Sequence, residues 1–299
     1  MNDFAVLEEL LRFDPGQRGL AARLRPGDLR LAAAGMLAAE HVAIATGFFI
    51  PRAGNVESDG PPGAAFLSRA LERLGKRVTV VCPQSGVPAL TVCRERLSLS
   101  YDVLGLNPGL ISPALLDELA ADAFVALEYC GQGHDGRCRN MLGVDITEHV
   151  PILDDVLEEA VRRRLTTVAI GDGGNELGCG GPGAQVESTA PVSINSRSDA
   201  AYVLCSGISN WGAYVLVGAL SVLAEQPLLL TADEEMDLLL AMCEVGVVDG
   251  VSAICQPTVD GLDFSTNRQF VEDLARATER VRATLAIDHE SLEGLEARG

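Results

Sequence analysis

Apolar and polar positions along the chain follow two periods in turn. Phe4, Leu7, Leu10 and Leu11 recur at helical spacing, Asp14-Pro15-Gly16 breaks the pattern, and it resumes from Asp28 to Glu40, as the buried face of a helix requires. From His41 to Gly47 the run turns strand-like, and similar runs occupy 77–82, 124–128, 166–170 and 202–205. Between them the helical period returns. Phe66, Leu67, Ala70, Leu71 and Leu74 share one face of a predicted helix over 63–74, and further helices are expected over 113–121, 152–164, 210–225, 231–245 and 266–285. Strand and helix periods alternate with no hairpin dipeptide between them, which implies crossover connections. The predicted fold class is therefore α/β, a doubly wound, mainly parallel sheet with helices on both faces. Residues 1–40 read as a helical N-terminal extension. Neither a sequence repeat nor a low-complexity linker divides the chain, so 1–299 reads as a single domain.

Composition then excludes several partners. The 299 residues carry 42 Asp/Glu against 23 Lys/Arg, a formal charge of −19, with 47% apolar residues. A mean hydropathy of +0.20 does not fit a disordered acidic chain, because disorder needs low hydrophobicity alongside high charge. Lys76 is the lone lysine, and no basic run exceeds Arg162-Arg163-Arg164. Nucleic acids and anionic membranes both recruit clustered cations, so neither partner is expected. Most of the charge excess reads as surface solubility. Met1-Asn2-Asp3-Phe4 lacks the basic start of a signal peptide. The longest nearly uncharged apolar run, Gly212 to Ala224, falls short of the roughly 18–20 residues that span a bilayer. Eight scattered cysteines without a C-x-x-C pair suit small buried hydrophobes in a cytoplasmic protein better than a disulfide framework. A homo-oligomer is compatible with all of this.

In doubly wound sheets, ligands sit beyond the carboxyl ends of the strands. Four loops that follow strands are unusual. The first, Gly54 to Gly63, holds Glu57 and Asp59 two residues apart before Gly-Pro-Pro-Gly, so both point one way if the segment is extended; a polar turn with Asp59 as a helix-capping acid reads equally well. The second runs from Glu128 to Met141 and contains Asp135-Gly136. Its Cys130, His134 and Cys138 invite a zinc reading, but three glycines and the missing fourth ligand argue against it. The third, Gly171-Asp172-Gly173-Gly174-Asn175-Glu176, leaves a strand directly; it matches no nucleotide-binding pattern, its acid repels phosphate, and no nucleotide cofactor is expected. Carboxylates among glycines suit a divalent cation such as Mn²⁺, Mg²⁺ or Ca²⁺. In the fourth, Ser209 and Asn210 open a helix; its free N–H groups would hold a substrate carboxylate, or Trp211 is a packing anchor behind an ordinary cap. Together the loops place Glu57, Asp59, Glu128, Asp135, Asp172 and Glu176 at one end of the sheet. Such a cluster calls for a cation or shared protons, and a metal is the economical answer.

These loops resemble the D-glutamate cyclase family, specifically its C-terminal domain. The resembling strings are Glu57-Ser-Asp-Gly-Pro-Pro-Gly-Ala64, Asp135-Gly136 with Asn140-Met141 and Gly143-Val-Asp145, Gly171-Asp-Gly-Gly-Asn-Glu-Leu-Gly178, and Gly207-Ile-Ser-Asn-Trp-Gly-Ala-Tyr214. The second departs from the family pattern, with Arg137-Cys138 in place of an aromatic after Asp-Gly and Leu142 in place of an arginine after Asn-Met. The resemblance implies a hydro-lyase that converts D-glutamate to 5-oxo-D-proline and water, with an acidic amino acid as its small-molecule substrate. A divalent ion on Asp172, Glu176 and the Glu57/Asp59 pair would polarise the γ-carboxylate. Asp59, Glu128 and Asp172 are the expected catalytic acids, and Ser209 and Asn210 would anchor the α-carboxylate. Asn55, Gly60, Asn140, Gly173, Gly174 and Asn175 are the remaining expected substrate contacts. A metal-dependent phosphohydrolase and a non-catalytic binder of metal or metabolite are the alternatives that the carboxylates alone would serve equally.

Overall fold

The computed structural model describes residues 4–19, 24–181 and 190–296, with side chains described as far as 285. Six strands form its central sheet: β1 (His41–Thr46), β2 (Arg77–Pro83), β3 (Asp102–Leu106), β4 (Ala123–Leu127), β5 (Thr166–Gly171) and β6 (Tyr202–Cys205). All pair in parallel, in the order β6-β5-β4-β1-β2-β3. The chain therefore winds outward in both directions from the β1/β4 pair. That pair is the topological switch point, where open α/β sheets leave a crevice for ligands.

Alternation along the strands fills two cores. Val42, Ile44, Val78, Val80, Val125 and Val168 face the larger one. It is closed by α1 (Ala5–Leu10), α2 (Asp28–Ala38), α3 (Pro61–Arg73), α4 (Val87–Arg96), and by α7 (Ser209–Leu223), α8 (Ala232–Glu244) and α9 (Phe264–Glu296). Ala43, Ala45, Phe124, Ala126 and Ala169 face the other, against α5 (Leu115–Leu119) and α6 (Asp154–Arg162). The first forty residues are helical at α1 and α2, and neither stands off the domain. Phe4, Leu7, Leu11, Leu29 and Met36 are buried in the larger core, and Gly35 lets α2 press on β5, since a Cβ there would meet Thr166 at 2.5 Å.

The predicted elements are present with shifted ends, and α3 begins two residues early because Pro61 and Pro62 suit the first helical turn. Helix α4 and strand β3 were not predicted. Pro88 and the β-branched Thr91-Val92 mask a helical period in α4. The five residues of β3 are an edge strand, half-buried or exposed throughout, so they lack the apolar run of a central strand. No helix among the described residues is long and apolar enough to cross a membrane.

Candidate active site at the sheet switch point

The register of β1 with β4 pairs Thr46 with Leu127, so the loops after both strands leave side by side. A short antiparallel pair, Phe49–Ile50 with Asn55–Val56, turns the first loop back toward the sheet. Asn55 ends its part there, with Oδ1 accepting from the Val56 N–H, away from the cavity described below. Gly60 then brings the chain against β4. At its φ of +98° a Cβ would meet Thr46 Oγ1 at 2.6 Å and the Glu128 Cβ at 2.9 Å. Glu128 itself takes a left-handed φ of +43°, a conformation that costs about 1–3 kcal/mol for a non-glycine residue and clusters at functional sites.

Asp59 is spent on the fold. Its carboxylate accepts from the N–H groups of Ser209 (2.9 Å) and Asn210 (2.7 Å). The amides that the sequence offered to a substrate carboxylate are thus capped by an acid from another loop, as a helix N-terminus favours. Ser209 Oγ donates a short bond to Glu128 Oε2. The Asn210 side chain accepts from Gly60 N (3.0 Å) and Gly63 N (2.8 Å) and donates to Ser58 O (3.1 Å). It ties the start of α3 to the start of α7. Trp211 is the packing anchor of the simpler reading, stacked on Phe270 at 4.4 Å with its Nε1 donating to Asn267.

The third loop curls around its own acid. Glu176 accepts from the N–H groups of Asp172 (3.2 Å), Gly173 (2.5 Å) and Gly174 (2.6 Å). The amides of Gly173 and Gly174 therefore serve Glu176. Asn175 donates from Nδ2 to Arg139 O at 2.8 Å. Asn140 accepts from Leu142 N and Val144 N, shaping the rim. Asp135 is not in the cluster: it is exposed and paired with Arg139, whose hydrogen bonds hold its carboxyl down to about 2. His134 is exposed while Cys130 and Cys138 are buried, so these three residues do not converge on a zinc ion.

What converges is a cavity of about 310 Å³ lined by Glu57, Glu128, Asp172, Glu176 and Asp260, with Arg18, Arg52, Asn140 and Asn175. Asp59, Ser209 and Asn210 are buried and are not among its lining residues. Asp172 belongs to two groups whose ligand oxygens all lie within 4.8 Å of one another: Glu128, Asp172 and Glu176, and Asp59, Asp172 and Asp260. Burial, reinforced by neighbouring carboxylates, raises Glu57 and Glu128 well above the usual carboxylate range. Burial does the same to Asp172 and brings Asp59 to about 8. In Glu176 burial outweighs its amide partners. Desolvation dominates throughout, so this site demands positive charge or protons.

Two residues here escaped sequence reasoning. Arg18 forms ion pairs with Asp172 and, at 2.6 Å, with Asp260; Asp172 above all holds its guanidinium protonated beyond the ordinary value. It reaches the site because Phe13 stacks on Trp211 at 5.4 Å, laying the N-terminal segment over the end of β6. Asp260 is presented by a loop knotted on buried Asp249, which accepts from Ser252 N, Thr258 Oγ1 and Gly261 N. Neither residue carries a local pattern, and only the tertiary path brings them in. A larger groove of about 1060 Å³ between α1 and α9 is lined by none of the clustered carboxylates.

Comparisons with known proteins agree on one family. A family model described as D-glutamate cyclase-like, C-terminal, matches residues 7–275. Among curated proteins, the human protein named D-glutamate cyclase, mitochondrial, is 28% identical over 327 aligned positions, covering 91% of this chain and 51% of the relative. The chain thus spans about half the length of that relative.

Proposed function

The chain belongs to the D-glutamate cyclase-like C-terminal family, and on that premise we propose that it is a carbon–oxygen lyase that closes D-glutamate to 5-oxo-D-proline with release of water. The observation that carries the reading is the cavity at the β1/β4 switch point, where Glu57, Glu128, Asp172 and Glu176 meet Arg18. Ring closure forms a bond from the α-nitrogen to the γ-carboxyl carbon and breaks a C–O bond. Two protons leave the ammonium nitrogen and depart with one γ-oxygen as water. The reaction needs groups that accept a proton and return it near neutral pH, and buried carboxyls with raised proton affinity suit that task. Glu128 takes this role: it lines the cavity, and Ser209 Oγ holds one of its oxygens. Arg18 offsets the charge of Asp172 and Asp260 as an anionic substrate enters.

A divalent cation fits the same donors. Asp172 and Glu176 offer hard carboxylate oxygens close together, with Glu128 beside them as the proton carrier, a set that suits Mg²⁺, Mn²⁺ or Ca²⁺. Bound there, such an ion would supply Lewis-acid polarisation of the γ-carboxylate. The test presents D-glutamate and a generic phosphomonoester side by side to the purified chain, with Mn²⁺ or with EDTA. Formation of 5-oxo-D-proline without phosphate release, strongest with Mn²⁺, is expected. Phosphate release without 5-oxo-D-proline would replace the cyclase reading with a phosphohydrolase.

A further inference from the structure

One cavity carboxylate has no hydrogen-bond or ion-pair partner among the described residues. Glu128 accepts from Ser209, Asp172 and Asp260 pair with Arg18, and Glu176 accepts from three amides. Glu57 is only 7% exposed and lines the cavity, and its carboxylate makes no hydrogen bond or ion pair among the described residues. Space is cleared for it: a Cβ on Gly250 would lie 1.6 Å from Glu57 Oε2. Glu57 also belongs to neither group of close-set ligand oxygens, so a divalent ion held by those groups leaves it unmatched. A buried carboxylate without a donor is costly, and it becomes favourable once a cation that is also a hydrogen-bond donor sits against it. Arg52, exposed at the cavity mouth and free of ion pairs among the described residues, supplies positive charge to the same space. One lone carboxylate inside and one arginine at the mouth complement a ligand bearing both an ammonium and a carboxylate.

Resting on the cyclase reading for the identity of that ligand, we propose that Glu57 is the ammonium subsite of the cavity. It receives the α-ammonium of an acidic amino acid in a charge-assisted hydrogen bond and so orients the nitrogen for ring closure. Glu57 is a positioning and specificity residue here, distinct from the groups that take up metal.

Calorimetric titration of D-glutamate and of glutarate, the same dicarboxylate without the amine, separates this role from others. With Mn²⁺ present throughout, the wild-type chain is expected to bind D-glutamate more tightly than glutarate. Glu57→Gln should weaken D-glutamate by at least about tenfold, the cost of one charged hydrogen bond, and leave glutarate within about twofold. Gly250→Ala, which crowds the Glu57 carboxylate, should reproduce the pattern if the first variant fails to fold. Equal losses for both ligands would make Glu57 a metal ligand or a structural residue and overturn the proposal. So would a wild-type chain that binds D-glutamate no better than glutarate. A wild-type chain that prefers D-glutamate but forms no 5-oxo-D-proline would instead remove the cyclase reading and leave the subsite standing.

Discussion

Glu128 shows how one residue can carry the conflict on which a site is built. It is buried, sits in left-handed backbone, faces other carboxylates, and is steadied by Ser209 Oγ. A second buried acid, Glu235, shows the same physics away from the cavity and so isolates it. Tyr214 Oη donates to its Oε1 at 2.9 Å, while Oε2 has no partner among the described residues. Burial raises its carboxyl to about 7. Because the folded state holds this proton more tightly than the unfolded chain, the stabilisation is complete below the unfolded value and lost as pH rises through about 7. Glu235→Gln removes that dependence. Relative to wild type it should gain up to about 3 kcal/mol in denaturant unfolding on going from acid to mildly alkaline pH, and an unchanged difference between the two proteins across that range would contradict the assignment. Among the site residues, Asp172, Glu176 and Glu57 were legible because glycine-rich loops directly after strands announce them. Arg18 and Asp260 were not. Each reaches Asp172 across a long stretch of chain, and no local spacing encodes that.

At the scale of elements, the site depends on two helix starts held together. Asn210 joins α3 to α7 through three buried hydrogen bonds, and Asp59 caps α7 from the loop before α3. Gly63 permits the approach, with Asn210 Oδ1 3.0 Å and the Ala213 Cβ 3.1 Å from where its own Cβ would stand. Asn210→Ala should therefore cost about 2–4 kcal/mol, because it leaves the Gly63 amide and the Ser58 carbonyl buried without the Asn210 side chain, while the Gly60 amide keeps Asp59 Oδ1 at 3.0 Å. Thermal or denaturant unfolding reads this directly; a loss below about 1 kcal/mol would mean the two helices are held by apolar packing alone. The sequence marked Ser209 and Asn210 correctly as a helix start. It could not say which acid would reach them, since the cap comes from about 150 residues earlier. The central strands were readable from their apolar runs, whereas edge strand β3 and helix α4 lack a clean period and emerge only in the packed sheet.

At the scale of the molecule, the acids behind the formal charge of −19 are unevenly placed. Most acids are on the surface, where several pair with arginines as Glu159 does with Arg162 and Arg163. Of the buried acids, Glu57, Asp59, Glu128, Asp172 and Glu176 gather at the β1/β4 switch point, the place in a 3-2-1-4-5-6 sheet where loops from both halves part to leave a crevice. The sequence led to that end of the sheet, and the order of strands explains why the loops of β1, β4 and β5 meet there. The N-terminal segment brings Arg18 to the candidate site, so the stretch that holds α1 and α2 supplies a cavity residue as well as part of the core. The most direct test of the whole account is chiral analysis of the product formed from D-glutamate by the wild-type chain and by Glu128→Gln, with folding of both verified by thermal unfolding. The wild type should form 5-oxo-D-proline, and the variant should lose about a hundred- to ten-thousand-fold in rate, the usual contribution of a positioned acid–base group. Equal rates in the two proteins, or no 5-oxo-D-proline from the wild type with Mn²⁺ present, would contradict it.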